Sequence, residues 1–331
     1  MVARYTKNGN PTDVIKVQTE DLGPVSPTGV VVKMLYAPIN PADLNMVSGT
    51  YNFNPPLPAV GGSEGIAQVI ALGSQASKLK VGDVVLPVHQ GLGTWRTHAN
   101  WEEGDLVPVT SIDIKHEYLA SLSVNPATAL RLLTDFANLK SGDVIVQNGA
   151  NSMVGQSVIQ IAAAKGIKSI NIIRRRADFD QVVGTLKGLG ATVVVADDFI
   201  RNGEFRNLIK SLPQPKLALN CVGGETTTEM IRLLAQGGTL VTYGGMSLKP
   251  VVIPTRSFIF NDLQCRGFWM SQWYEKHSVE DRLALLKELS ALVKANKLQL
   301  RLEQMPFNNF ENALNRAINS SQRDKKIVLS F

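Results

Sequence analysis

The chain has 331 residues and a mass of 36.0 kDa, with 44% hydrophobic and 19% charged residues, which points to two domains and excludes disordered and collagen-like classes. Two cysteines, Cys221 and Cys265, and four histidines, His89, His98, His116 and His277, are scattered without the spacing of a disulfide framework or a zinc site. The net charge of +6 suits an anionic partner, but the longest basic run is Arg174–Arg176 and no basic stretch is interleaved with aromatics, which argues against nucleic acid.

The opening residues, MVARYTKNGN, carry neither an apolar signal core nor an Arg/Ser-rich amphipathic pattern. The expectation is a cytosolic protein or one whose targeting segment has been removed. The first third then shows short β-branched runs between turn residues: VVVKML (30–35), GIAQVIALG (65–73) and DVVLPV (83–88). Period-two runs bounded by Gly, Pro and Asp predict a mainly β domain.

Near Leu119 the texture changes to alternating strand and helix patterns, the mark of βαβ units and a parallel sheet. Strands are predicted at VIVQN (144–148), INII (170–173), TVVVAD, KLALNCVG (216–223) and TLVTYGG (239–245), about six in all. Helices are predicted through VVGTLKGLG, at TTEMIRLLAQGG (227–238) and at RLALLKELSALVKANK (282–297). The uncharged run Val144 to Ala164 is long enough to span a bilayer but is broken by Gln147, Asn148, Asn151 and Gln156, so no membrane span is expected. The final KKIVLSF reads as one more strand.

Within this pattern, the strand 144–148 runs into GANSMVGQSVIQIAAAKG. Gly149, Ala150, Ser152 and Gly155 let backbone amides approach a pyrophosphate at a helix N-terminus, although a strict G-x-G-x-x-G is absent. The second strand ends in Arg174, Arg175 and Arg176, where an NAD enzyme usually places an acid on the ribose 2′-hydroxyl. A cationic run there is either a solvated cluster or a clamp for a 2′-phosphate, and its placement after this turn favours the clamp and hence NADPH. Tyr243, Gly244, Gly245 and Met246 end a strand in a side-chain-poor turn suited to close approach by a ligand. Phe268, Trp269 and Trp273 fit either a ligand site or packing.

The segments INPADLNMVSGTY (39–51), AVGGSEG (59–65), GLGTWRT (91–97), LNCVGG (219–224), VTYGGM (241–246) and GFWMSQW (267–273) together resemble the mitochondrial 2-enoyl thioester reductases, a zinc-free branch of the medium-chain dehydrogenase/reductase superfamily. The resemblance covers essentially the whole chain. It implies a Rossmann-type doubly wound parallel sheet of an α/β domain at 126–271, and a mainly β GroES-like catalytic domain at 1–125 and 272–331. It also implies that Tyr51 is the proton donor. Cofactor contacts are implied for Asn125, Asn151, Ser152, Met153, Val154, Arg174 to Arg176, Tyr243 to Met246, Phe268, Trp269, Met270 and Lys326. Arg175 departs from the family pattern, in which the middle position of that run is commonly acidic.

The activity so implied is NADPH-dependent reduction of trans-2-enoyl thioesters in mitochondrial fatty-acid synthesis, with hydride to Cβ and a proton to Cα from Tyr51. A phenol is protonated at neutral pH and can serve as the acid. No metal is implied, since Asn40-Pro41-Ala42-Asp43 stands where a zinc alcohol dehydrogenase carries its early cysteine. The runner-up is a zinc-free NADPH quinone reductase. The resemblance further implies a matrix location with the transit peptide missing from this chain, a homodimer, and transient docking of an acidic acyl carrier protein on a basic surface.

Overall fold

A computed structural model describes residues 1–319 and 325–331. The chain divides into two compact units, one of Met1–Val124, Tyr274–Ala291 and Leu300–Phe331, the other of Asn125–Trp273 and Leu292–Gln299.

The second unit holds a six-stranded sheet whose strands follow the spatial order Val193–Ala196, Lys168–Ile173, Val144–Asn148, Leu217–Asn220, Thr239–Thr242 and Gln264–Gly267, all paired in parallel. This is the 3-2-1-4-5-6 order of a doubly wound dinucleotide-binding sheet. The expected architecture is therefore present. Its inner strands are rich in Val, Ile and Leu, as strands covered on both faces are, and Val144, Val146, Ile170 and Leu240 are fully enclosed. Each such side chain contributes roughly 1.5–3 kcal/mol by leaving water. The sequence order reverses between Val144–Asn148 and Leu217–Asn220, which opens a crevice beyond the carboxyl ends of those two strands. Leu292–Gln299 joins this unit because the Gln160 side chain holds the Gln299 backbone through both its amide nitrogen (3.1 Å) and its carbonyl (2.7 Å).

The strand expected over 216–223 is Leu217–Asn220, and two helices also differ from expectation. The helix expected over 227–238 runs from Glu225 to Ile231, since the chain must turn back at Gly237 (φ +69°) to enter Thr239–Thr242. The helix expected over 282–297 is Val279–Lys294, begun three residues earlier where Ser278 and Asp281 exchange hydrogen bonds at its N-terminus.

The first unit is mainly β. A seven-stranded sheet is built around Gly29–Pro38, which pairs antiparallel with Ile66–Leu72, His98–Glu102 and Lys326–Ser330. A three-stranded sheet of Lys16–Gln18, Val2–Tyr5 and Ala59–Val60 completes it. Trp95 fills the core, its indole N–H donating to the Pro38 carbonyl at 3.2 Å. Tyr274 and Arg282 bind the segment 274–291 here: the Tyr274 hydroxyl donates to Ser123 O at 2.7 Å, and the Arg282 guanidinium lies over the Tyr274 ring while donating to Val88 O.

Candidate active site

In the second unit, Val144–Asn148 leads through Gly149 (φ +59°) to the helix Met153–Ala164. Ser152 is the N-cap, and its Oγ accepts the Gly155 amide at 3.1 Å. The first amides of any helix have no acceptor within it, so those of Met153 and Val154 remain for an anion. Gly155 is required by contact, since a Cβ there would lie 2.6 Å from the Ala150 carbonyl oxygen. Gln147 fixes the turn to the sheet, its Nε2 donating to Gly155 O (3.0 Å) and Asn171 Oδ1 (2.8 Å). Positive φ, a backbone-tight turn and open amides together fit the pyrophosphate of a dinucleotide.

Beside it, Asn148 and Asn220 join the two strands at the crevice. Asn148 Nδ2 donates to Asn220 Oδ1 (2.8 Å), and Asn220 Nδ2 donates to Thr242 Oγ1 (3.1 Å). The turn Tyr243–Met246 hangs from the same place, with Tyr243 N bonded to Asn220 O and Met246 N to Cys221 O, both at 2.9 Å. The structure thus brings Asn151–Val154 and Tyr243–Met246 to one end of one sheet. The Tyr243 hydroxyl is buried beside Cys221. Burial pushes the Tyr243 phenol well above its ordinary range and the Cys221 thiol up to about 11, so neither ionises near neutrality. Gly245 and Met246 stay exposed.

Arg174 to Arg176 leave the strand Lys168–Ile173 directly. They differ in commitment. Arg175 is held by Asp198, with Nε–Oδ2 2.9 Å and Nη2–Oδ1 3.2 Å, and its guanidinium lies 5.0 Å from the Phe179 ring centroid. The Arg175 guanidinium holds the Asp198 carboxyl below its usual range. Arg174 is exposed and Arg176 half-buried. Sequence reasoning missed Asp198; the paired acids of VVVADD, at the end of the neighbouring strand, were the available signal.

Asn125 is buried at the start of the helix Asn125–Thr134. Phe268 packs edge-on against Phe136 at 5.7 Å, Trp269 is half-buried, and Met270 is buried at the start of Met270–Lys276. Trp273 is buried, with the Arg131 guanidinium 5.4 Å from its ring centroid.

Tyr51 belongs to the first unit. It follows the helix Pro41–Ser48, which Asn40 caps and Pro41 opens, a start that suits a fixed φ and a missing donor. The helix ends at Gly49, and Asn45 O then accepts the amides of Thr50 (3.0 Å) and Tyr51 (3.2 Å). Asn54 Nδ2 donates to Tyr51 O at 3.2 Å. The turn is fixed, and the phenol is half-buried.

Lys326 lies buried in the same unit as Tyr51. Its Nζ donates to Ile39 O (3.2 Å) and Asn40 Oδ1 (2.8 Å), near the carboxylates of Asp43 and Glu64. Burial lowers the lysine, while it raises Asp43 to about 6 and Glu64 to about 7. Sequence reasoning found Lys326 but not Asn40, Asp43 or Glu64 as its company.

Residues 26–111 match the alcohol dehydrogenase GroES-like domain family and residues 154–288 the zinc-binding dehydrogenase family. Among the described residues no group of three His, Cys, Asp or Glu side chains is placed to hold a metal ion. The human mitochondrial enoyl-[acyl-carrier-protein] reductase is 47% identical over 325 residues, covering 98% of this chain and 87% of that one. The chain belongs to the mitochondrial enoyl-[acyl-carrier-protein] reductase family. Solved enoyl thioester reductases share its fold throughout. The Etr1p/Etr2p heterodimer from Candida tropicalis superposes with a TM-score of 0.90 at 33% identity, covering 100% of this chain and 99% of that one. The Etr1p complex with NADP and crotonyl-CoA gives 0.89 at 33% identity, with the same coverage.

Proposed function

We propose that this enoyl reductase family member reduces trans-2-enoyl thioesters to saturated acyl thioesters with NADPH. The observation that carries the reading is 47% identity to an enoyl reductase over 98% of this chain, joined by the likeness to a reductase crystallised with NADP and crotonyl-CoA. When bound, NADPH supplies the hydride that adds to Cβ of the conjugated alkene. Tyr51 gives the proton that Cα requires, and a neutral phenol can do so without prior protonation.

The remaining residues bind and orient. Ser152 and the amides of Met153 and Val154 hold the pyrophosphate, with Asn151 at the same turn. Arg174 to Arg176 contact the 2′-phosphate, and Arg175 contributes less than Arg174 because Asp198 already holds it. Asn125, Tyr243 to Met246, and Phe268 to Met270 contact the rest of the cofactor. Lys326 has two of its three protons committed and one left for a cofactor oxygen. Orientation and charge stabilisation are the protein's share of the catalysis.

The names of the relatives support a mitochondrial setting, and the matrix with acyl carrier protein as thioester carrier is the reading that fits a chain of net charge +6. No described helix is long and apolar enough to cross a membrane. A homodimer is part of the proposal. All four residues of the edge strand Gln264–Gly267 are exposed, as are Phe258, Ile259 and Phe260 just before it, a surface that pairing with a second copy would cover.

The test is loss of NADPH absorbance with trans-2-hexenoyl-CoA, run beside NADH and a soluble quinone. Fast NADPH-selective thioester reduction is expected. Quinone turnover without thioester turnover would instead favour the quinone reductase reading, which the sequence relatives support less well.

A further inference from the structure

Glu64 is a buried carboxylate, 2% exposed, that the proposed chemistry does not use. Its Oε2 accepts from Asn40 Nδ2 at 2.8 Å. Its Oε1 accepts from Ser123 Oγ at 3.0 Å and from Val124 N at 2.8 Å. On the far side of Asn40, the Lys326 ammonium donates to Oδ1 at 2.8 Å. The Asn40 amide is thus wired in one sense, oxygen toward the ammonium and nitrogen toward the carboxylate. Its backbone N–H donates to Asp43 Oδ2 at 2.9 Å.

Asn40 begins the helix Pro41–Ser48, and the turn that closes this helix holds the Tyr51 amide on Asn45 O. Eight residues span about 12 Å, and a two-turn helix moves as a rigid lever over that length. A tilt of a few degrees at Asn40 displaces Tyr51 by up to about 1 Å, enough to cost roughly 100-fold in rate when a reacting group is misplaced. Burial raises Glu64 to about 7, so retaining this carboxylate is costly unless its acceptors are needed.

We infer that Glu64 is a positioning residue, which fixes the Asn40 amide and through it the helix that carries Tyr51. The inference rests on the reading of Tyr51 as proton donor. The need for a carboxylate follows from counting donors. An amide at position 64 has one acceptor and one donor end, whereas Asn40 Nδ2 and Val124 N–H are both donors. Either orientation of a glutamine therefore sets N–H against N–H. Turning the Asn40 amide to relieve this would present its nitrogen to the Lys326 ammonium. Asn40→Asp added to Glu64→Gln restores the donor–acceptor pairings of position 40 with Lys326 and of position 64 with position 40 and Val124, and the net charge, with the carboxylate moved one link along.

The experiment measures kcat and the NADPH KM for crotonyl-CoA reduction by wild type, Glu64→Gln, Glu64→Gln/Asn40→Asp, Tyr51→Phe and Tyr51→Phe/Glu64→Gln. Glu64→Gln is expected to lower kcat ~10–100-fold with the NADPH KM little changed, and Asn40→Asp to return most of the loss. In the Tyr51→Phe background, Glu64→Gln should lower kcat no further, because the misplaced group is already absent. Wild-type kcat in Glu64→Gln, an equal loss in both backgrounds, or no recovery in the folded double variant would overturn the inference. Full turnover by Tyr51→Phe would instead remove the donor reading, a distinct result.

Discussion

A Cβ built on Gly149 would lie 2.5 Å from the Cys221 sulfur, so the phosphate turn of one crevice strand closes directly on the residue that follows the other. Gly149 also has φ +59°, a left-handed conformation that costs other residues ~1–2 kcal/mol. Gly149→Ala is expected to lower both the unfolding temperature and NADPH affinity. Cys221→Ala in the same chain relieves the clash but not the backbone cost, so it should restore part of each. Thermal unfolding and NADPH titration of the four variants check this; strictly additive losses would separate the turn from Cys221.

Cofactor choice should divide unequally among the arginines. Arg174→Ala removes a free charge-assisted donor worth ~1.5–3 kcal/mol, which is roughly a 10–100-fold loss of kcat/KM with NADPH and little change with NADH. Arg175→Ala should lose less, because Asp198 already occupies that guanidinium. Asp198→Ala should tighten NADPH by freeing it. Steady-state kinetics with both cofactors measures all three variants.

Tyr51→Phe keeps the ring and deletes the acid. General acid catalysis contributes about 10²–10⁴-fold, and kcat should fall in that range while NADPH binding stays unchanged. Fluorescence titration of NADPH on the variant separates the two quantities.

Folding stability should carry the signature of Glu64. Its carboxyl rises from 4.5 to about 7 on folding because it is buried, against the pull of Asn40, Lys326, Val124 and Ser123. A raised carboxyl gives stability that is complete below the unfolded value and lost as pH climbs through the folded one. The folded state therefore holds an extra proton between about pH 4.5 and 7, and stability falls across that window by at most ~1.4 kcal/mol per pH unit. Asp43, raised from 3.8 to about 6, adds in the same direction. The difference in unfolding free energy between wild type and Glu64→Gln isolates Glu64, since Asp43, Lys326 and Arg282 remain in both. A difference flat in pH would contradict the burial argument.

Self-association should depend on the exposed edge. Ile259→Asp with Phe260→Asp places two charges beside Gln264–Gly267 and is expected to halve the mass seen by light scattering. A wild-type chain that is monomeric would remove the dimer from the account.

The sequence made the enclosed strands legible because β-branched runs such as VIVQN and INII have no other stable place. Gln264–Gly267 was not legible: QCRG has no apolar pattern, and its strand state comes from pairing with Thr239–Thr242. The phosphate turn was visible in its glycines and cap. The Asn40–Glu64–Lys326 chain was not, since its members stand 24 and 286 residues from Asn40 and only the fold brings them together. The Arg175–Asp198 pair escaped for the same reason, being set by the parallel register of two neighbouring strands. Tyr51 came from resemblance; nothing in its own spacing separates a proton donor from a packed aromatic.

The most direct test of the central claim follows a deuterium label. Trans-2-hexenoyl-CoA is incubated with NADPH deuterated at the transferable C4 position in ordinary water, and the acyl product is examined by mass spectrometry. Hexanoyl-CoA with one deuterium at Cβ and a solvent-derived proton at Cα is the expected product. Unreduced thioester, or deuterium at Cα, would contradict that claim.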